Sequence, residues 1–131
     1  MDTERDGRGD TARHLTVIII PCDHDEAIWT SDLRNPDYRT FQGLVDVLIE
    51  FIDLPHGGSL VCNEESKLIR LPLNYRATAL LWLTRPEYIQ RDFIAGDVVV
   101  AGVPDEEGDT TAAPELYVKL LVPPADPAPP T

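Results

Sequence analysis

The hydrophobic pattern changes period several times along the chain, and each change marks an element. His14 to Pro21 (HLTVIIIP) is a continuous β-branched run, which predicts an inner strand buried on both faces. After a polar CDHDE turn, Ala27 to Ser31 is β-prone and pairs back on the first run as a hairpin. Asn35-Pro36-Asp37 reads as a helix start: a capping Asn, Pro at the first helical position, and an acid near the dipole's positive end. Tyr38, Phe41, Leu44, Val45 and Leu48 then line one helical face, and the helix should end near Val47.

The second half alternates in the same way. Ile49 to Leu54, a Pro-His-Gly-Gly turn and Ser59 to Asn63 predict another hairpin. Glu64 to Ser66 turns again, and Lys67 to Leu71 is read as a third strand of this meander, bending or ending near Leu71. Asn74 caps a helix over Tyr75 to Leu83. Thr84-Arg85-Pro86-Glu87 fits a capping box, so a short helix to Arg91 is expected. Ile94 to Val103 holds the last clear strand, centred on Val98 to Val100. Pro114 to Leu121 fits a helix by its leucines and a strand by Tyr117-Val118. The pattern predicts one α+β domain over residues 14–121, a mixed, mainly antiparallel sheet of about five strands carrying two or three helices. Residues 1–13 read as a disordered leader and 122–131 as a Pro-rich disordered tail.

Composition narrows the class. With 43% hydrophobic and 26% charged residues the chain reads as globular. No apolar run approaches the ~18 residues a membrane helix needs, and the leader is acidic, so a cytoplasmic protein with no membrane partner is expected. The two cysteines, Cys22 and Cys62, are both read as lying in predicted strands and as packing residues instead of a disulfide. His24 and His56 lie near them without the spacing of a metal site, so no metal or cofactor is expected. Arg8-Gly9-Asp10 is read as a chance tripeptide in the leader.

The formal net charge of −12 disfavours direct nucleic-acid binding. The charge is uneven. Between Lys67 and Arg91 there are five cations (Lys67, Arg70, Arg76, Arg85, Arg91) and one anion, Glu87. Pairing with acids elsewhere is the ordinary reading of such a window. Its sharper reading is an anion-binding face. The stretch NEESKLIRLPLNYR holds the candidate binding residues Asn63, Glu64, Lys67, Arg70, Asn74, Tyr75 and Arg76. Asn63 suits a turn through side-chain-to-backbone bonds. Arg76 lies in the first turn of its helix, where a cation opposes the macrodipole. Either a salt bridge to Glu64 or Glu65, which is preferred, or a bound anion at the helix N-terminus accounts for that placement.

No phosphate loop, nucleophile elbow or Cys–His pair at a recognisable spacing is present, so no catalytic residue is assigned. The segments Asn63-Glu64-Glu65-Ser66-Lys67-Leu68, Leu71-Pro72-Leu73-Asn74, Arg76-Ala77-Thr78 and the glycine Gly96 before a valine-rich strand together resemble a family of small domains of unknown function. That family is common in actinobacterial phages and conjugative elements. The resemblance runs from about Leu15 to Val103 and departs where the family's helix-closing Val-Gly-Gly is replaced by Val45-Asp46-Val47. It implies a fold and a mobile-element origin, and no activity.

Three functions follow as expectations. The first is a non-enzymatic accessory protein that binds a host protein, for counter-defence or host modulation. The second is a module that sequesters or senses an anionic small molecule such as a nucleotide. The third is an acidic DNA mimic, weakened because much of the charge lies in the predicted flexible ends. A homodimer through an exposed sheet edge is also compatible with the pattern.

Overall fold

The run HLTVIII forms β1 (His14–Ile20), and Trp29–Arg34 forms β2 against it in an antiparallel register from His14↔Arg34 to Ile19↔Trp29. The computed structural model describes residues 13–45, 49–65 and 70–124. It continues with α1 (Tyr38–Val45), β3 (Ile49–Leu54), β4 (Gly58–Asn63), α2 (Tyr75–Thr84), β5 (Val98–Gly102) and α3 (Glu115–Leu121). Five strands form one sheet in the order β2-β1-β5-β4-β3, and every pairing between them is antiparallel.

The strand period of two sorts the core into two layers. Val17, Ile19, Val61, Val99 and Ala101 face α1, which buries Phe41 and Val45 against them as it crosses from the β2 edge to the β3 edge. Ile18, Ile20, Leu60, Cys62, Val98 and Val100 face the other way, onto Ala77, Leu80 and Leu81 of α2 and Tyr117 of α3. The fold is therefore α+β with helices on both sides of an antiparallel sheet. Because β5 and the Val17–Ile20 half of β1 are covered on both faces, they read as continuous apolar runs, whereas β4, equally buried, carries Ser59 and Asn63 among its apolar residues.

Several sequence expectations change. Asn35 does not cap α1. It closes the β1–β2 ladder: its N–H donates to the Arg13 carbonyl at 2.6 Å and its side chain accepts from the Arg13 N–H at 2.7 Å, with φ at 46°. The cap is Asp37, whose carboxylate accepts from the Thr40 N–H at 3.0 Å, while the Thr40 hydroxyl accepts from the Asp37 N–H at 3.2 Å. That backbone N–H holds the Asp37 carboxyl below its ordinary pKa. A third strand beside β4 is excluded, because β4 carries β3 on one side and β5 on the other. Of the segment Lys67 to Leu71, residues 67–69 lie outside the described residues, and Arg70 is in a turn with φ at 58°. The short helix expected up to Arg91 is a single 3-10 turn, Pro86–Tyr88. The ambiguous segment near the end is the helix α3. The expected leader up to residue 12 and the tail from residue 125 also lie outside the described residues.

Tyr117 is fully buried, and its hydroxyl donates to the Pro55 carbonyl at 2.6 Å, pinning α3 to the β3–β4 connection. Burial raises its phenol pKa. Replacing Tyr117 with Phe keeps the packing and removes one bond to a part-buried carbonyl. Equilibrium urea unfolding should register a loss of about 1 kcal/mol, and an unchanged midpoint would show that this bond does not hold α3.

Candidate functional site

The candidate stretch begins where β4 leaves the sheet. Asn63 is buried, and its side-chain oxygen accepts from the Glu65 N–H at 2.8 Å, the side-chain-to-backbone turn its residue type favours. Glu64 and Glu65 follow it on the surface, and Arg70 is exposed. Lys67 lies outside the described residues.

From Pro72 the chain docks against the segment preceding β5. Leu73 forms an isolated antiparallel bridge with Ala95. The Gly96 N–H donates to the Pro72 carbonyl and the Asn74 N–H to the Ile94 carbonyl, both at 2.8 Å. Gly96 has φ at +80°, which favours glycine, and an added Cβ would also push on Leu71 Cδ1 at 2.8 Å.

Asn74 ties three segments together. It is 0% exposed. Its side-chain oxygen accepts from the Ala77 N–H at 3.0 Å, which caps α2 as the sequence predicts. Its side-chain nitrogen donates to the Ile20 carbonyl at the end of β1 and to the Gly96 carbonyl, both at 2.9 Å. Asn74 thus spends its side chain inside the fold, with none of it facing solvent.

Arg76 does not pair with Glu64 or Glu65. Its Nη2 donates to the Pro21 carbonyl at 2.8 Å and to the Asp23 carbonyl at 3.1 Å, closing the turn after β1, while its buried Nε has no partner among the described residues. Neutral carbonyls, and not carboxylates, explain a cation in the first turn of α2. Arg85 at the other end of the helix bonds the Asp53 carbonyl and pairs with Glu87 at 2.8 Å. The two arginines, nine helical residues or about 14 Å apart, are held on different partners, the Pro21 and Asp23 carbonyls and the Asp53 carbonyl with Glu87, so these cations do not converge on one anion. Cys22, beside this turn, bonds Asp97 through its backbone N–H, and burial followed by the Asp97 carboxylate pushes its thiol pKa up, which disfavours a reactive thiolate. Among the described residues no group of three His, Cys, Asp or Glu converges to hold a metal ion, and no helix is long and apolar enough to cross a membrane.

The exposed feature of this region is apolar. Leu73, Tyr75, Thr78, Ala79, Trp82 and Phe93 line a groove of about 280 Å³. Leu73, Tyr75 and Phe93 are 43%, 66% and 44% exposed. Trp82 and Phe93 meet edge to face at 5.5 Å, and the Trp82 indole N–H donates to the Asp92 carbonyl at 2.7 Å, so the floor of the groove is fixed. Tyr75 is the one candidate residue inside it. Leu73, Trp82 and Phe93 were missed, although α2 carried a signal. Ala77, Leu80 and Leu81 form its core face, and Tyr75, Thr78, Ala79 and Trp82 repeat at helical spacing on a second face. A helix apolar nearly all round either is fully buried or offers a second surface.

The fold and groove define a compact antiparallel α+β module with a preformed apolar surface on its second helix. The family model described as a domain of unknown function (DUF3846) matches residues 15–122, and the chain belongs to that family. Among curated proteins none matches. Among solved structures, the crystal structure of the small RNA methyltransferase HEN1 is similar with a TM-score of 0.51 and 18% sequence identity over 72% of this chain. The match spans only 13% of that protein's chain, and the likeness is one of fold.

Proposed function

We propose that this domain is a non-enzymatic accessory protein of a phage or mobile element that acts by binding a host protein through the α2 groove. The observation that carries the reading is the groove itself: an exposed, mainly apolar surface with a rigid aromatic floor, in the arrangement that anchors protein partners. The candidate residues Asn63, Asn74 and Arg76 then serve as scaffold. Asn74 and Arg76 fix the start of α2, and so the position of Tyr75, while Asn63 shapes the turn after β4. Counter-defence or redirection of a host process fits such a role.

The test is affinity capture from host lysate, comparing wild type with Tyr75→Ser/Phe93→Ser, two changes at exposed positions. The expected result is a partner bound by wild type and reduced at least about tenfold by the double change, the loss of one modest apolar anchor. Equal capture by both would remove the groove from the reading. A small anionic molecule retained with no protein would favour the sequestering alternative. A partner displaced by DNA and bound equally by the variant would favour mimicry.

A further inference from the structure

The sheet ends in two edges that differ in what they offer. On β3, both of the symmetric antiparallel registers that pair five residues of the strand set acids against apolar residues. Centred on Phe51, Glu50 opposes Ile52 and Ile49 opposes Asp53. Centred on Ile52, Phe51 opposes Asp53 and Glu50 opposes Leu54. Arg85 also binds the Asp53 carbonyl. This edge is guarded in the way proteins use to prevent strand addition.

The β2 edge is the more open of the two among the described residues. Trp29–Arg34 pairs with β1 along all six residues without a bulge, contains no proline or lysine, and has no second neighbour among the described strands. Trp29, the largest side chain on it, is 48% exposed. In an antiparallel pair related by a twofold axis, directly opposed residues lie on the same face, so the axis must pass through a residue. Through Asp32 it opposes two like charges. Through Ser31 it opposes Ser31 with Ser31, Thr30 with Asp32 and Trp29 with Leu33, each of the last two twice. The Thr30 hydroxyl is a donor for the Asp32 carboxylate, and the exposed indole gains an aliphatic partner on the α1 face.

We propose that β2 is a self-association edge, joining two copies of this chain into one continuous antiparallel sheet with Ser31 on the twofold axis. A six-residue edge is a small interface, so the dimer is reversible and concentration-dependent. It leaves the α2 groove free in each copy, so the dimer presents two grooves and gains avidity for a repeated partner.

The test is site-specific cross-linking in the full chain, with Cys22→Ser as background. Opposed residues in such a pair lie about 4.5–5.5 Å apart, within the ~4.4–6.8 Å a disulfide spans. Ser31→Cys should therefore oxidise to a covalent dimer. Asp32→Cys, whose symmetric mate would be about 7–8 Å away, should do so far less. Without oxidant, light scattering should give a mass that rises with concentration from 14.6 kDa toward twice that value. Trp29→Lys should hold the protein at the monomer mass with an unchanged circular dichroism spectrum. Equal cross-linking at both positions, no cross-linking at Ser31, or a monomer at every concentration would each overturn the proposal, whatever else covers β2.

Discussion

Replacing Asn74 with alanine should destabilise the domain by about 3–5 kcal/mol, the largest loss expected from any single polar side chain here. The change leaves the Ala77 N–H and the Ile20 and Gly96 carbonyls without their partner at a position closed to solvent. Each unsatisfied buried group costs about 1–3 kcal/mol, and the helix cap is lost with them. Asn74→Asp separates the contributions. Aspartate still accepts from the Ala77 N–H, but it cannot donate to either carbonyl and brings a charge into a buried site. If the two donated bonds dominate, Asp should be about as damaging as Ala. If capping dominates, Asp should recover part of the loss despite its buried charge. Equilibrium denaturation of the three proteins decides, and a loss below about 1 kcal/mol for Ala would show that the junction of β1, α2 and the Gly96 segment does not depend on this side chain.

The second large effect is expected at Gly102, where alanine should cost about 3 kcal/mol in the same measurement. Gly102 lies directly opposite Gly58 in the β4–β5 ladder, so both glycines open onto the same face of the sheet. Together they leave a notch that other parts of the chain fill. An added Cβ on Gly58 would lie 2.6 Å from the edge of the Tyr117 ring, and one on Gly102 would strike the Thr111 hydroxyl and the Ala112 carbonyl. The Gly102 N–H also donates to the Thr111 carbonyl at 2.8 Å, so the lead-in to α3 lies directly on β5. Backbone cannot swing aside as a side chain can. Gly102→Ala should therefore cost more than Gly58→Ala, and the reverse order would show that the Tyr117 ring is the more rigid of the two fillers.

How much of this was legible in the sequence depended on the range of the interactions. The β-branched runs announced inner strands because a strand covered on both faces has no polar face to show. Asn74 announced a helix cap because capping is a bond between residues three apart. Its two other bonds reach Ile20, 54 positions away, and Gly96, 22 positions away, and no local pattern encodes them. Arg76 was misread for the same reason. Sequence proximity offered Glu64 and Glu65, and the fold supplied the Pro21 and Asp23 carbonyls, more than fifty positions distant. Asn35 and Asp37 were confused because both are good caps, and only the β1–β2 register shows that Asn35 is spent on Arg13.

The groove was half legible. Tyr75 stood out by its place beside the helix start, whereas Phe93 reaches Trp82 only because the chain after α2 folds back along it. By itself the sequence determined the class, the family resemblance, the two hairpins and the residues that start α2, because those follow from periodicity, turn chemistry and caps acting over a few positions. Tertiary structure alone decided the strand order that denies β4 a third partner in the meander, the glycine notch under α3, the carbonyl partners of Asn74 and Arg76, and which apolar residues stay outside. Those depend on which surfaces meet when the chain closes, and contacts between distant segments are fixed by packing, not by local preference.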